Sequence, residues 1–191
     1  MLFRSKPAKI LKRYYKEGKI KSSFIYFDAN KACAAHIFGK DSILMATGLY
    51  REEKRDSLWK YYRKNGELVA DENYRMGIKQ GLSNVYYRNN KLYERFEFKE
   101  GKKDGVWKQY FDTGRLKIDG HYRDDKLQGK VIFYNPNGGV DHEGIYKDNV
   151  KNGAWNYYDE KGNLLIQQRF DMGILKNKDE VNEYIMEESK Q

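Results

Sequence analysis

Apolar positions in this chain return at a fixed interval of 24 residues. With units starting at positions 9, 33, 57, 81, 105, 129 and 153, the fifth place after each start holds Tyr14, Phe38, Tyr62, Tyr86, Tyr110, Tyr134 and Tyr158. The eleventh place holds Ile20, Leu44, Leu68, Leu92, Leu116, Val140 and Leu164. The seventeenth holds Tyr26, Tyr50, Tyr74, Phe98, Tyr122, Tyr146 and Phe170. A fixed period means one supersecondary unit copied and stacked, and it decides the architecture before any side-chain chemistry is considered.

Polar turn formers punctuate the same period. In the third unit, Arg63-Lys64-Asn65-Gly66 separates two aromatic-rich runs, and Gly77 closes the second of them. The first turn returns as Glu17-Gly18, Asp112-Thr113-Gly114, Asn135-Pro136-Asn137-Gly138 and Glu160-Lys161-Gly162. The second returns as Gly77, Gly101 and Gly173, with Asp125 and Asn149 in the same place. Short runs bounded in this way read as strands joined by tight turns. The pattern predicts an all-β fold, an elongated, twisted single antiparallel sheet of seven consecutive hairpins over 9–176 (9–32, 33–56, 57–80, 81–104, 105–128, 129–152 and 153–176), preceded by a basic leader, 1–8. Beyond it, in the tail 177–191, Val181, Tyr184 and Ile185 fall at helical spacing, which predicts a short capping helix near 178–188.

Even spacing places the eleventh and seventeenth columns on one face of their strand. Trp59, Trp107 and Trp155 stand at the third residue of alternate units and are assigned to the other face. On this reading the three constant columns are core, and truncating Tyr110 or Leu116 costs more stability than truncating Trp107.

Composition changes the picture in two ways. A mean hydropathy of −0.97 is low for a globular protein, but 17 Tyr, 9 Phe and 3 Trp supply the apolar area that disordered chains lack. The net charge of +9 is concentrated at the start, where residues 1–32 hold nine Lys/Arg against two acids, whereas 177–191 holds two bases against five acids. No signal peptide or membrane span is legible, and the single Cys33 excludes an internal disulfide framework, so a cytoplasmic location is expected.

The unit Gly-x-Trp-x-x-Tyr-x-x-x-Gly-x-Leu, followed by Tyr-x-x-Gly-x-x-x-Gly, resembles the bacterial variant of the MORN (membrane occupation and recognition nexus) repeat. Gly105 to Leu116 and Gly153 to Leu164 match it best, while Lys9 and Cys33 replace the opening glycine and Ser42 the turn glycine in the first two units. Stand-alone bacterial proteins of this kind carry the label of antitoxin in a toxin–antitoxin module. The resemblance therefore implies a repeat protein that neutralises a partner by direct binding.

Catalytic chemistry is not legible. His36, His121 and His142 fall at three different offsets of the repeat, none at ligand spacing from another His or from Cys33. No catalytic residue, metal site or cofactor is assigned. For a protein partner, the residue types that dominate interfaces point to the variable aromatics Trp59, Tyr61, Tyr87, Trp107, Phe111, Phe133, Trp155 and Tyr157. For an anionic partner, membrane or nucleic acid, the candidates are Lys9, Lys12, Arg13, Lys16, Lys19 and Lys21. The expected function is non-enzymatic binding of a protein, a toxin included, with an anionic-surface scaffold as the first alternative and an enzyme with an unrecognised site as the last.

Overall fold

The structure, a computed structural model, describes residues 9–28 and 31–188; the predicted leader 1–8 and residues 189–191 lie outside them. The chain divides into two compact units. The first runs through Leu92 and takes Phe98–Gly101; the second takes Tyr93–Glu97 and runs on from Lys102. All strands are antiparallel and follow chain order in one open sheet.

In the first unit lie β1 (Lys9–Tyr14), β2 (Ile20–Asp28), β3 (Ala32–Phe38), β4 (Leu44–Arg51), β5 (Lys54–Tyr62), β6 (Leu68–Arg75) and β7 (Ile78–Tyr86). β8 (Leu92–Lys99) gives residues to both units. The second unit continues with β9 (Lys102–Tyr110), β10 (Leu116–Arg123), β11 (Lys126–Leu127), β12 (Gly129–Tyr134), β13 (Val140–Lys147), β14 (Val150–Tyr158), β15 (Leu164–Asp171) and β16 (Ile174–Leu175). It ends in α1 (Lys178–Glu188), which packs on β15. The helix is held by Val181, which is buried, and by Asn177, whose side chain ties the backbone of Gln167 and Arg169 to the helix start. Ile185 of the predicted apolar stripe remains exposed.

From the second repeat onward the second turn is a two-residue loop with both residues at positive φ, as in Met76 (51°) and Gly77 (89°). That is the I′ geometry whose twist matches a β-hairpin. The N–H of its second residue donates to a carbonyl one unit earlier: Gly77 to Arg55 at 2.7 Å, Gly101 to Lys79 at 3.0 Å, Gly173 to Lys151 at 2.8 Å. A side-chain oxygen from the previous unit caps its first residue, with Gln80 accepting from Glu100 and Gln128 from Asp148, each at 2.9 Å. Glu52 and Glu53 hold the same geometry at φ 49° and 62° without a residue that favours it. Replacing the pair by Asn-Gly is expected to stabilise the protein by about 1 kcal/mol, read as a higher urea midpoint.

Two register breaks in each tryptophan-bearing repeat 57–80 and 153–176 decide the faces. At the junction of β4 and β5, Leu49 pairs with Asp56 and Thr47 with Lys60, so Ser57, Leu58 and Trp59 together face Gly48. The opening residue of this bulge has positive φ in Ser57 (57°) and Gly153 (70°), which explains the column of opening glycines. The second break lies at the end of each hairpin, between Tyr61 and Tyr62 in β5.

The face assignment made from spacing is therefore corrected. Trp59 stacks edge-on against Tyr50 (4.9 Å, 77°), and Trp155 against Tyr146 (5.0 Å, 85°), so the tryptophans share a face with the seventeenth column. The fifth-column tyrosines lie opposite, where Tyr86 donates to Asp71 (2.6 Å) and Tyr158 to Glu143 (3.3 Å). Trp59 (1% exposed) and Trp155 (0%) are among the most buried side chains, whereas Leu164 is 54% and Tyr14 55% exposed. The third place is buried in five of the seven repeats, as Ala35, Trp59, Ser83, Val131 and Trp155.

Candidate functional site

The predicted aromatic contacts occupy three different places. Trp59 and Trp155 are core, which removes them from any surface for a partner. Their indole N–H groups donate to the carbonyls of Leu49 (3.0 Å) and Ile145 (3.2 Å). Trp107 is half-buried, and its Nε1 donates to Glu94 Oε1 at 2.9 Å. Its ring sits differently because Phe96 occupies the place where Gly48 and Gly144 make room for Trp59 and Trp155. Tyr87 and Phe111 stand at the hairpin ends, each closing its turn through its backbone N–H.

Tyr61, Phe133 and Tyr157 lie two residues beyond the buried column, on its face, and are half-buried. In the second unit the His142 ring is stacked between Phe133 (4.1 Å, 13°) and Tyr157 (5.1 Å, 17°). In the first unit Tyr61 lies beside Arg55, whose guanidinium donates to the hydroxyls of Tyr61 (3.1 Å) and Tyr74 (3.2 Å) and sits 4.8 Å from the Trp59 ring. Burial pushes the Tyr61 hydroxyl's pKa far up, so it remains a hydrogen-bonding phenol. Lys151 repeats the arrangement in the second unit, 4.2 Å from the Trp155 ring and 5.1 Å from Phe170. Lys103 does so over Phe96 at 3.7 Å.

These cations form a column that the aromatic columns had overshadowed: Lys31, Arg55, Lys79, Lys103 and Lys151 recur on the 24-residue period, and that recurrence was the available signal. Each rests on aromatic faces, a contact worth about 0.5–2 kcal/mol, save Lys31, for which the described residues supply no such ring contact.

The same first unit holds a tight acid. Burial opposes ionisation of Glu72, but Lys79 Nζ at 2.6 Å from its Oε1 and the Tyr74 hydroxyl outweigh it and hold the carboxyl below its ordinary 4.5. A depressed carboxyl contributes stability that is complete above its unfolded pKa and is lost as pH falls through the folded one. Glu72→Gln is therefore expected to flatten the acid limb of the stability profile below about pH 4.5, measured by urea unfolding at stepped pH.

Of the basic candidates, all six are exposed, and the structure brings only two of them into a cavity. Lys9 and Arg13 of β1 share a cleft of about 580 Å³ with Phe24 and Tyr26 of β2. Its other walls are Lys31, Cys33, Tyr50 and the turn residue Glu53. Cross-strand pairing sets the row Lys9, Tyr26, Cys33, Tyr50 across four strands. The Arg13 guanidinium lies 5.4 Å from the Phe24 ring centroid. Burial pushes the Cys33 thiol up, away from the thiolate form. Lys12, Lys16, Lys19 and Lys21 fall outside the cleft. Among the described residues no three His, Cys, Asp or Glu side chains gather in metal-binding range, and no helix is long and apolar enough to cross a membrane.

Residues 103–124 and 127–148 match the family model described as MORN repeat variant. The two matches begin one 24-residue period apart, and they agree with the resemblance seen in the motif. No curated protein matches the chain. A solved structure titled "Crystal structure of GtfA/B complex" is similar over 82% of this chain and 21% of that one, at 9% identity and a TM-score of 0.21. The chain thus spans about a fifth of that relative's length, and a likeness at this level carries no argument.

Proposed function

We propose that this protein is a non-enzymatic repeat protein that binds a protein partner directly, acting in the cytoplasm as an antitoxin or immunity protein. The observation that carries the reading is the row of half-buried aromatics beside buried tryptophans: Tyr61 with Arg55 in the first unit, Phe133 and Tyr157 with Lys151 in the second. Aromatic and arginine side chains dominate interface energies. Anchored on a hydrogen-bonded sheet, these lose little freedom on association, which lowers the ordering cost of binding. Trp155 is no longer a sensible probe, since removing a fully buried ring perturbs the fold before any contact.

The test is protection of host cells against the toxic product of a neighbouring gene, together with direct binding of that product. Tyr61→Ala combined with Tyr157→Ala is expected to abolish both while leaving the β-sheet circular dichroism in place. Replacement of His36, His121 and Cys33 should leave protection intact; loss of protection in those folded variants would replace binding by a catalytic or metal mechanism. A second reading, an anionic-surface scaffold, is favoured by the exposure of Lys12, Lys16, Lys19 and Lys21 together at the first hairpin. It predicts binding to anionic vesicles that weakens steeply with salt.

A further inference from the structure

The cleft in the first unit exists because the repeat is broken there. In the repeats 57–80 and 153–176 the opening residue starts a bulge that swings a tryptophan onto a glycine, and the ring packs against the seventeenth-column aromatics. In the repeat 33–56 Cys33 takes the opening place, and the β2–β3 pairing runs without a bulge from Ser22↔Ile37 to Tyr26↔Cys33. Ala35 stands where Trp59 and Trp155 stand later, so no indole enters between Tyr26 and Tyr50. Phe24, paired with Ala35, fills only part of that row, with its ring 6.1 Å from that of Tyr50.

Among the described residues, Lys9, Arg13 and Lys31 form no ion pair, and the single acid of the cleft is Glu53. Three cations against one carboxylate, with three aromatic walls and about 580 Å³, is within the usual size of a small-molecule site. It asks for a ligand with a flat ring and a negative charge, the ring occupying the space that an indole fills elsewhere.

We propose that this cleft binds a nucleotide, its base against Phe24, Tyr26 and Tyr50 and its phosphate toward Lys9, Arg13 and Lys31. Base–aromatic stacking and a basic wall are the two terms by which proteins hold unpaired nucleotides. A sugar-phosphate or lipid headgroup would use the cations and leave the aromatic walls idle. The ligand is either a free nucleotide or one nucleotide of a single strand, and both share this chemistry. The site stands independently of the protein-binding rows, because it contains neither Tyr61 nor Tyr157.

Titration calorimetry with adenosine 5′-monophosphate, adenosine, inorganic phosphate and a six-residue oligodeoxyadenylate tests it. The monophosphate is expected to bind about tenfold more tightly than either adenosine or phosphate. Arg13→Gln and Lys31→Gln should each weaken it about tenfold, and Phe24→Leu should weaken it without changing the response to phosphate. Glu53→Gln should tighten it, a gain that misfolding cannot produce. Tighter binding of the oligonucleotide than of the monophosphate marks a single strand as the source, and equal binding marks the free nucleotide. Monophosphate binding no tighter than phosphate, or unaltered by Arg13→Gln, Lys31→Gln and Glu53→Gln, overturns the proposal.

Discussion

Trp155→Ala is expected to lower the stability of the protein by about 3–5 kcal/mol, the range for truncating a fully buried large aromatic. The ring has no exposed surface, meets Tyr146 and Phe170 edge-on, stacks under the Lys151 ammonium, and donates its N–H to Ile145. Truncation removes these contacts together and leaves a cavity over Gly144. Leu164→Ala in the same unit should cost well under 1 kcal/mol, since a surface truncation lies within about 0.5 kcal/mol of neutral and Leu164 is 54% exposed. Urea unfolding of the two variants decides it; equal midpoint shifts would restore the constant columns as the core.

The second large effect concerns the glycine beneath the ring. A Cβ built on Gly144 would lie inside the van der Waals envelope of the Trp155 indole, and one on Gly48 would do the same to Trp59. Neither glycine has positive φ, so the need is for space and not for backbone freedom. Gly144→Ala is therefore expected to cost about 1–3 kcal/mol by overpacking. The same change made on a Trp155→Leu background should cost much less, because the smaller side chain leaves room. That non-additivity, measured as a double-mutant cycle, separates steric conflict from a general glycine effect. Gly120 is a looser case of the same rule: its Cβ would lie 2.9 Å from Trp107 and 3.3 Å from Val131.

The tryptophans, the bulge glycines and the cation column together form the repeating unit of this fold. Lys31 and the row Lys9, Tyr26, Cys33, Tyr50 stand apart because the repeat 33–56 lacks the first two of those parts. The erosion of the motif at Lys9, Cys33 and Ala35 was visible in the sequence, but it read as loss of repeat character. Only the cavity between Phe24, Tyr26 and Tyr50 gives that erosion a chemical meaning.

By itself the sequence determined the period, the hairpins, their turns and the C-terminal helix. These follow from local chemistry: glycine, asparagine and aspartate at positive-φ positions, and apolar spacing of 3.6 in Val181 and Tyr184. It also marked Lys9 and Arg13 as candidates for an anionic partner. The faces were decided by the tertiary structure alone. Side chains alternate with a period of two, so one added residue carries every following side chain to the other side. The repeats 57–80 and 153–176 have two such breaks, at the opening residue and between the fourth and fifth places, and counting across them put Trp59 and Trp155 on the wrong face. Where a bulge falls depends on which carbonyl of the neighbouring strand accepts each N–H, a choice made between strands that no single repeat records.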